Sequence, residues 1–297
     1  MALKLGATTI GALYLGGTAI SAAYLGVGQI FGGAVSFDPS TLFASGEVGA
    51  WYDPSDLSTM WSDVAATVQT VPVLEGVTPT AANVVAQIDD KSGNVNHATQ
   101  ANFSSRPVLR VTTGGLYYLE LDGVDDSLVT STITPGADKA QIFAGLFKSS
   151  DATAGIALEL SANVSGNVGS FYLTAPESTS IRYSSAGRGN VGLTIAIVAT
   201  ITASGAAPDT AVITATHDIA GDLSTIRRNG VGGNDATGDK GSGNFGNYPL
   251  YIGARAGSSI RFNGRIYSLI TRFGPSLDLS TIQSAEGYVA GKTGVTL

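Results

Sequence analysis

Three carboxylates that lie close together are the clearest candidates for chemistry in the sequence. Glu120, Asp122 and Asp125 follow one another at spacings of two and three residues. Alternate side chains of a β-strand point to the same face, so Glu120 and Asp122 would lie side by side on a strand. Two such carboxylates, with a further acid along the chain, are the groups that glycoside hydrolysis requires.

The residues around these carboxylates favour a structural role instead. Leu119 and Leu121 alternate with the first two acids, as in a strand with one buried face, and Gly123 steers the chain into a turn. Packing and turn formation explain the whole stretch without catalysis. We therefore predict no catalytic residue and expect that the protein is not an enzyme, with glycoside hydrolysis as the less favoured alternative.

A second polar cluster, in residues 89–94, is a candidate calcium loop. Asp89, Asp90 and Asn94 carry side-chain oxygens of the hard type that calcium prefers. The same residue types bond to nearby backbone and favour turns, so a rigid loop without metal is the other interpretation. The spacing lacks a complete ligand pattern, and calcium is the only cofactor that the sequence suggests.

A predicted loop at residues 229–251 is the candidate for glycan binding, which needs an exposed aromatic plane beside polar groups. Trp51 and Trp61 are predicted to lie in the core and not on such a surface. The alternative for the loop is a solvated hairpin whose aromatic side chains cover the edge of the core. The candidate glycan-binding residues are Asn234, Asp235, Asp239, Asn244, Phe245, Asn247 and Tyr248.

The sequence lacks the residues or motifs that several other kinds of functional site require. Cysteine is absent, which rules out disulfides and thiolate metal sites, and the two histidines, His97 and His217, are isolated and a poor start for a zinc site. No Gly-x-Ser-x-Gly motif is present, and the glycine-rich stretch 238–243 lacks the spacing of a phosphate-binding loop. The net charge is -7 and no basic run occurs, so we expect no nucleic-acid partner.

Composition predicts a mainly β protein. With 39 Gly and only 13% charged residues, the chain favours short strands and tight turns, and its 297 residues suit one large domain with an appendage. Helices are predicted only at 57–68 and 279–290. Strands are predicted at 117–121, 142–147, 156–160, 170–174, 193–201, 211–216, 250–252 and 265–272.

The first thirty residues repeat a pattern every ten residues. The segment 5–37 is uncharged, and hydropathy alone would suggest a signal peptide or a membrane span, but neither needs such a period. Short strands of this kind cannot form a core alone and would pair with neighbouring chains or a docking surface. We predict an anchor with no membrane span, whose repeated residues are Leu5, Gly6, Ile10, Tyr14, Leu15, Gly16, Ile20, Tyr24, Leu25, Gly26 and Ile30.

Two resemblances extend this interpretation. The repeat over about residues 3–31 looks like the opening of many phage tail-fibre, head-fibre and minor structural proteins, in which such a segment attaches the chain to the particle. Four later blocks resemble concanavalin A-like lectin/glucanase and laminin-G-like domains. Those blocks are 50–57 (AWYDPSDL), 89–100 with Arg106-Pro107 after it, 119–126 (LELDGVDD) and 262–267 (FNGRIY).

The second resemblance implies a two-sheet antiparallel jelly-roll sandwich, a fold that hosts lectins, hydrolases and structural modules alike. Laminarinase-like hydrolases of this fold carry Glu-x-Asp-x-Glu or Glu-x-Asp-x-x-Glu on one strand, and here Asp125 replaces the last Glu. The predicted organisation is an anchor at 1–31, a linker at 32–46, which contains Gly and Pro, and the sandwich at 47–297.

The resulting expectation is a phage virion protein, a fibre, spike or decoration protein assembled in the host cytoplasm. Other virion proteins would hold residues 1–31, and the sandwich would display a lectin-like surface for host glycans. Resemblance to phage fibres also implies a homo-oligomer, a trimer, joined through the anchor. The alternatives are a capsid or tail component without ligand and, less favoured, a glycoside hydrolase.

Overall fold

The computed structural model describes residues 37–178, 180–191 and 205–297 in full. For residues 1–36 and 192–204 it describes only the backbone of short strands. By the clustering of its contacts the chain divides into two units, Met1–Asp38 and Pro39–Leu297.

In the N-terminal unit the described residues form three antiparallel hairpins that recur with the predicted ten-residue period. Their strands are β1 (Lys4–Leu5) with β2 (Thr8–Thr9), β3 (Leu13–Leu15) with β4 (Thr18–Ile20), and β5 (Ala23–Leu25) with β6 (Gly28–Phe31). The prediction of a strand-rich repeat is therefore confirmed, with two short strands in each repeat. Of the predicted anchor residues, Gly6, Ile10, Gly16 and Gly26 lie outside the described residues, and the anchoring role stays a prediction.

The larger unit is a sandwich of two mainly antiparallel sheets, and the described residues form nine strands in each. Its strands are β7 (Val48–Tyr52), β8 (Met60–Trp61), β9 (Val73–Leu74), β10 (Gln87–Ile88), β11 (Ala98–Thr99), β12 (Val108–Val111), β13 (Tyr117–Asp122), β14 (Leu128–Ile133), β15 (Lys139–Lys148), β16 (Ile156–Leu160), β17 (Phe171–Thr174), β18 (Ser184–Gly187), β19 (Val198–Thr200), β20 (Asp209–Asp218), β21 (Leu223–Arg228), β22 (Val231–Gly232), β23 (Tyr248–Ile252) and β24 (Asn263–Phe273).

Sheet A has the strand order β19-β18-β17-β16-β23-β14-β11-β10-β8, and sheet B has the order β22-β21-β20-β15-β24-β13-β12-β9, with β7 also paired to β24. One parallel pair, β9 with β12, interrupts the antiparallel pattern of sheet B. Side chains from both sheets form one apolar core between them. The predicted two-sheet sandwich is therefore confirmed.

One of the two predicted helices forms. Helix α1 (Leu279–Thr293) begins after Asp278, whose carboxylate accepts a hydrogen bond from the Thr281 amide at 2.7 Å. It ends at Gly294, which has a left-handed φ of 75°. The helix packs on sheet B at Gly145, where an added Cβ would lie 2.6 Å from Thr293 Cγ2, so a glycine is needed for this close approach.

The helix predicted at 57–68 is wrong. Only Leu57–Thr59 is helical, as a single 3-10 turn, and β8 follows directly with Trp61 paired to Gln87 of β10. Asp63 then accepts hydrogen bonds from the amides of Thr67 and Val68 and closes a loop. Side chain to backbone bonding of this kind competes with helix formation. None of the helices in the described residues is long and apolar enough to cross a membrane.

The sandwich begins earlier than its predicted boundary at residue 47. Pro39–Phe43 form a 3-10 helix with Leu42 and Phe43 buried, and Arg272 Nε donates a hydrogen bond to the Leu42 carbonyl at 2.7 Å. Residues 39–46 thus pack on the domain, and the predicted linker at 32–46 is shorter at its C-terminal end. Of the strand predicted at 193–201, only Val198–Thr200 falls within the described residues.

Candidate functional site

A buried lysine organises part of the loop predicted to bind glycans. Lys240 is 1% exposed, and its Nζ donates hydrogen bonds at 2.9 Å to the carbonyl oxygens of Asp222, Ala236 and Gly238. Burial lowers the pKa of Lys240. The glycine-rich stretch 238–243 is therefore a loop built around an internal ammonium group, and not a phosphate-binding loop.

Phe245 cannot serve as the aromatic plane of that loop. It is 2% exposed, and its ring lies 5.8 Å from Phe171 and 5.7 Å from Phe273 in the core between the sheets. Tyr248 is half-buried and donates a hydrogen bond to the Val168 carbonyl at 3.0 Å. A glycan-binding role stays a prediction for the members of the set that are exposed, namely Asn234, Asp235, Asp239, Asn244 and Asn247.

The candidate calcium ligand Asp90 is a buried organiser of its own loop. Its Oδ1 accepts hydrogen bonds from the amides of Trp51 and Ser92, and its Oδ2 accepts from Ser92 Oγ and the Asn96 amide. Asn94 donates from Nδ2 to the Glu47 carbonyl and to Ser92 Oγ. These contacts match the interpretation as a rigid loop, and the calcium interpretation stays a prediction.

Asp89, the third candidate calcium ligand, also bonds to neighbouring side chains. Its Oδ2 accepts a hydrogen bond from Trp61 Nε1 at 2.7 Å, and its Oδ1 accepts one from Gln87 Nε2 at 2.7 Å. His97 Nδ1 lies 3.3 Å from the same Oδ1 but accepts the Asp90 amide at 3.0 Å. His97 Nδ1 thus acts as a hydrogen-bond acceptor for the backbone of the same loop.

The carboxylates on strand β13 lie where the alternating pattern predicts. Leu119 and Leu121 are in the core, so Glu120 and Asp122 point to the outer face of sheet B. Gly123 has a φ of +75° and an added Cβ would lie 2.7 Å from Asn263 Cβ, which confirms the predicted turn. The turn also brings in Asp126, an acid that the sequence interpretation had not separated from its neighbours.

A cleft of about 450 Å³ opens over these acids, and we call it the carboxylate cleft. Strands β12 and β13 contribute its floor, and two short 3-10 helices, Ala81–Asn83 and Phe103–Ser105, contribute to its walls. Its lining residues are Pro79, Thr80, Ala81, Val84, Phe103, Ser104, Arg106, Val108, Arg110, Glu120, Asp122 and Asp126.

Side-chain caps fix the two 3-10 helices. Thr80 and Asn83 form a capping box, and Asn83 Nδ2 also donates to the Val71 carbonyl at 2.7 Å. Asn102 Oδ1 accepts the Ser104 amide at 3.3 Å at the start of the second helix. Both walls are thus set by local polar bonding that the sequence encodes within a few residues.

Burial and neighbouring charge make Asp126 unusual. The residue is 7% exposed, and one oxygen each of Asp122, Asp125 and Asp126 lie within 4.8 Å of one another. Burial, followed by the negative charges of Asp122, Asp125 and Glu120, raises the pKa of Asp126 to about 7. Its Oδ2 accepts the Asp122 amide at 3.0 Å, and no donor of the described residues bonds to its Oδ1.

Arg106 is held by the backbone of surrounding loops. Its Nε, Nη1 and Nη2 donate to the carbonyls of Gln100, Ser62 and Ala101 at 3.0, 3.1 and 3.0 Å. Each of these bonds ties the guanidinium to the protein. Arg106 therefore acts as a support of the cleft wall.

Arg110 is committed in a similar way on the floor of the cleft. Its Nη1 donates to the carbonyls of Leu74 and Val77 at 3.2 and 2.8 Å, and its Nε donates to Glu120. Glu120 thus has a cationic partner within the sheet. Asp122 has a different partner set, since its Oδ1 accepts the amides of Val124 and Asp125.

Phe103 is the aromatic side chain of the cleft that sequence analysis missed. It is 54% exposed, and no other Phe, Tyr or Trp is exposed among the residues whose burial is described. The Arg106 guanidinium lies 5.5 Å from its ring centroid. Its only sequence signal is an apolar residue between Asn102 and Ser104, in a stretch that reads as a loop.

The predicted location of the two tryptophans is confirmed for one of them. Trp51 is 7% exposed, with Lys91 Nζ 4.5 Å above its ring. Trp61 is only half-buried, at the edge strand β8.

Comparison with known proteins supports the fold. No protein-family model and no curated protein matches the chain. Among solved structures, the Trypanosoma rangeli sialidase matches 92% of this chain with a TM-score of 0.54 and 13% identity, and an arabinofuranosidase complexed with arabinofuranosyl-α-1,2-xylobiose matches 86% with a TM-score of 0.50 and 15% identity. The chain spans 36% and 65% of their lengths.

A shorter match, to the CBM40 domain of Ruminococcus gnavus IT-sialidase, covers 50% of this chain and 84% of that domain, with a TM-score of 0.41 and 13% identity. The longer matches show that the chain shares a lectin-like β-sandwich fold with these proteins. At such identities the likeness concerns the fold alone.

Proposed function

We propose that this protein binds a glycan in the carboxylate cleft and that residues 1–31 attach it to a virion. The observation that carries the binding proposal is the position of Phe103, an exposed aromatic ring on a cleft whose floor carries carboxylates. Sugar rings stack on aromatic planes, and sugar hydroxyls donate hydrogen bonds to carboxylates. A volume of about 450 Å³ lies in the range of small-ligand sites.

The shape of the site favours a preformed binding surface. Its walls are fixed by the caps at Thr80 and Asn102, and its floor is part of sheet B. A ligand that binds such a site does not have to order it first, so less of the binding free energy is lost to conformational entropy. This is the behaviour expected of a lectin-like module.

The attachment proposal rests on the ten-residue repeat. Each hairpin of residues 4–31 has at most four residues in a strand, and hairpins of that size need a partner surface to be stable. The resemblance to the opening of phage fibre proteins supplies the class of partner, other virion proteins. Pairing between copies of the chain would satisfy the strand edges and give the expected trimer.

Glycan-array screening of the full chain, followed by calorimetry with the best ligand, tests the binding proposal. Phe103→Ala should weaken binding roughly tenfold, because it removes apolar contact with the sugar that contributes at most about 1.5–3 kcal/mol to the binding free energy. Leu279→Ala is the matched control, since Leu279 is 56% exposed and lies on α1 outside the cleft. Equal affinities of the wild type and Phe103→Ala would mean that the glycan binds outside the carboxylate cleft. If no glycan on the array binds, a purely structural component is favoured.

Glycoside hydrolysis is the second candidate because of one observation, the grouping of Asp122, Asp125 and Asp126 with oxygens within 4.8 Å of one another, where burial raises the pKa of Asp126. A protonated acid next to ionised carboxylates is the pattern of a general acid and its partner. Release of reducing sugar from the glycan that binds, lost in both Glu120→Gln and Asp126→Asn, would establish this activity. Binding without release would leave the lectin-like function.

A further inference from the structure

We propose that the carboxylate cleft selects glycans that carry a free amine, such as glucosamine oligomers, over neutral and acidic glycans. This inference rests on the proposed function, because it names the class of sugar that the same cleft takes. The sugar ring would stack on Phe103, and the ammonium group would approach Asp122 and Asp126.

The first reason is that the two arginines that line the cleft are already hydrogen-bonded to the protein and face three lining acids, Glu120, Asp122 and Asp126. Arg106 is tied to three backbone carbonyls, and Arg110 is tied to two carbonyls and to Glu120. A carboxylate or sulfate on the ligand could use only the two N–H groups that these bonds leave on each guanidinium. It would also meet the negative charges of the floor, and juxtaposed like charges oppose binding.

The second reason is that the acids of the turn lack a cationic partner. Within the described residues, no lysine, arginine or histidine forms a salt bridge with Asp122, Asp125 or Asp126. Glu120, in contrast, has Arg110. The turn therefore concentrates negative charge at one end of the cleft, and a ligand cation would relieve the mutual repulsion.

The third reason is that oxygens of the turn remain available to a ligand. Among the described residues no donor bonds to Oδ2 of Asp122 or to Oδ1 of Asp126, although Asp126 is more than nine-tenths buried and lines the cleft. An ammonium group offers three N–H donors and forms charge-assisted hydrogen bonds with carboxylates. An N-acetylated or neutral sugar offers only neutral donors at the same place.

Calorimetry on the full chain tests the inference. The probes are a glucosamine trisaccharide, its N-acetylated counterpart and sialyllactose, titrated in EDTA at neutral pH, because an acidic buffer would protonate Asp126, whose pKa is raised to about 7. The free amine should bind roughly tenfold more tightly than the N-acetylated sugar, and sialyllactose should bind most weakly.

Two variants locate the preference. Asp122→Asn keeps an oxygen for the amides of Val124 and Asp125 but removes a charge, so it should bring the two trisaccharides within about threefold of each other. Asp138→Asn removes a charge outside the cleft and should leave the tenfold ratio unchanged. Circular dichroism of each variant confirms that it is folded.

The outcomes separate the two proposals. Equal affinity for the amine and its N-acetylated form, or tighter binding of sialyllactose, would overturn the amine preference and leave glycan binding in the cleft intact. If the ratio of the two trisaccharide affinities falls equally in Asp122→Asn and Asp138→Asn, the overall negative charge of the protein and not the cleft causes the preference, and the proposal is overturned. Failure of all three sugars, together with a glycan array without ligand, would overturn the proposed function as well.

Discussion

Replacing Asp126 by Asn should stabilise the protein at alkaline pH and have little effect on its stability at acidic pH. The raised pKa means that the folded state keeps the proton on Asp126 to a higher pH than the unfolded state does. The wild type therefore loses stability as the pH rises from 3.8 to about 7, which is the reverse of the usual behaviour of a carboxylate. Asn keeps an oxygen that accepts the Asp122 amide but does not ionise.

The magnitude follows from the two pKa values. One pH unit between them corresponds to about 1.4 kcal/mol, so the interval from 3.8 to about 7 sets an upper bound of about 4 kcal/mol. Water in the cleft screens the repulsion between the carboxylates, and we expect about 1–2 kcal/mol at pH 8.

Urea unfolding of the wild type and Asp126→Asn at pH 4 and pH 8 measures this effect directly. Asp138→Asn is the control, because it removes one negative charge away from the cleft. The reasoning is refuted if Asp126→Asn changes the free energy of unfolding equally at both pH values, or if it destabilises the protein at pH 8.

Four further predictions follow from the same structure. Burial and the charge of Lys240 lower the pKa of His217 to about 3, so the protein should lose stability as the pH falls from 6.5 towards 3. His217→Gln should cost stability at pH 7 but make the stability less dependent on pH in this range, by as much as about 1.4 kcal/mol per pH unit. Unfolding curves measured at several acidic pH values test this. Glu120→Gln should cost about 1 kcal/mol through the weakened bond to Arg110 and remove no hydrolytic activity, and loss of a measurable glycanase activity would contradict this. Deletion of residues 1–31 should leave a folded domain by circular dichroism but abolish incorporation into particles; recovery of particles that carry the truncated chain would disprove the anchor. Light scattering should find the full chain oligomeric, most simply trimeric, and the deleted form monomeric or weakly associated; a monomeric full chain with an intact repeat would mean that the strands pair only with other virion proteins.

The sandwich was predictable because its strands are short apolar runs bounded by Gly, Asn, Asp and Pro. Ile156–Leu160 has the predicted bounds, and the strand predicted at 117–121 is one residue longer. The helix predicted at 279–290 was also accessible from the sequence, since the Asp278 carboxylate caps an amide only three residues away. The segment 57–68 failed because edge pairing of Trp61 with β10 is a long-range contact that overrides a local helical pattern.

The candidate cleft was less predictable, as two phenylalanines show. Phe103 follows Asn102 and Phe245 follows Asn244, each in a loop, and sequence alone gives them the same character. Phe245 is buried because Phe171 and Phe273 meet it from the two sheets, whereas Phe103 is 54% exposed, with the Arg106 guanidinium 5.5 Å from its ring centroid. Which of two such side chains reaches the core depends on tertiary partners distant in sequence.

The acids at the end of β13 serve structure and the proposed binding with different oxygens. Asp122 Oδ1 holds the amides of the turn and Asp126 Oδ2 holds the Asp122 amide, while the second oxygen of each residue receives no hydrogen bond from the described residues. Turn formation and ligand binding are therefore compatible interpretations of the same residues. Alanine at either position would remove both roles together, because the turn would lose its acceptors. Asparagine keeps an acceptor for the turn and removes the charge, so loss of amine preference in a folded asparagine variant can be assigned to the cleft.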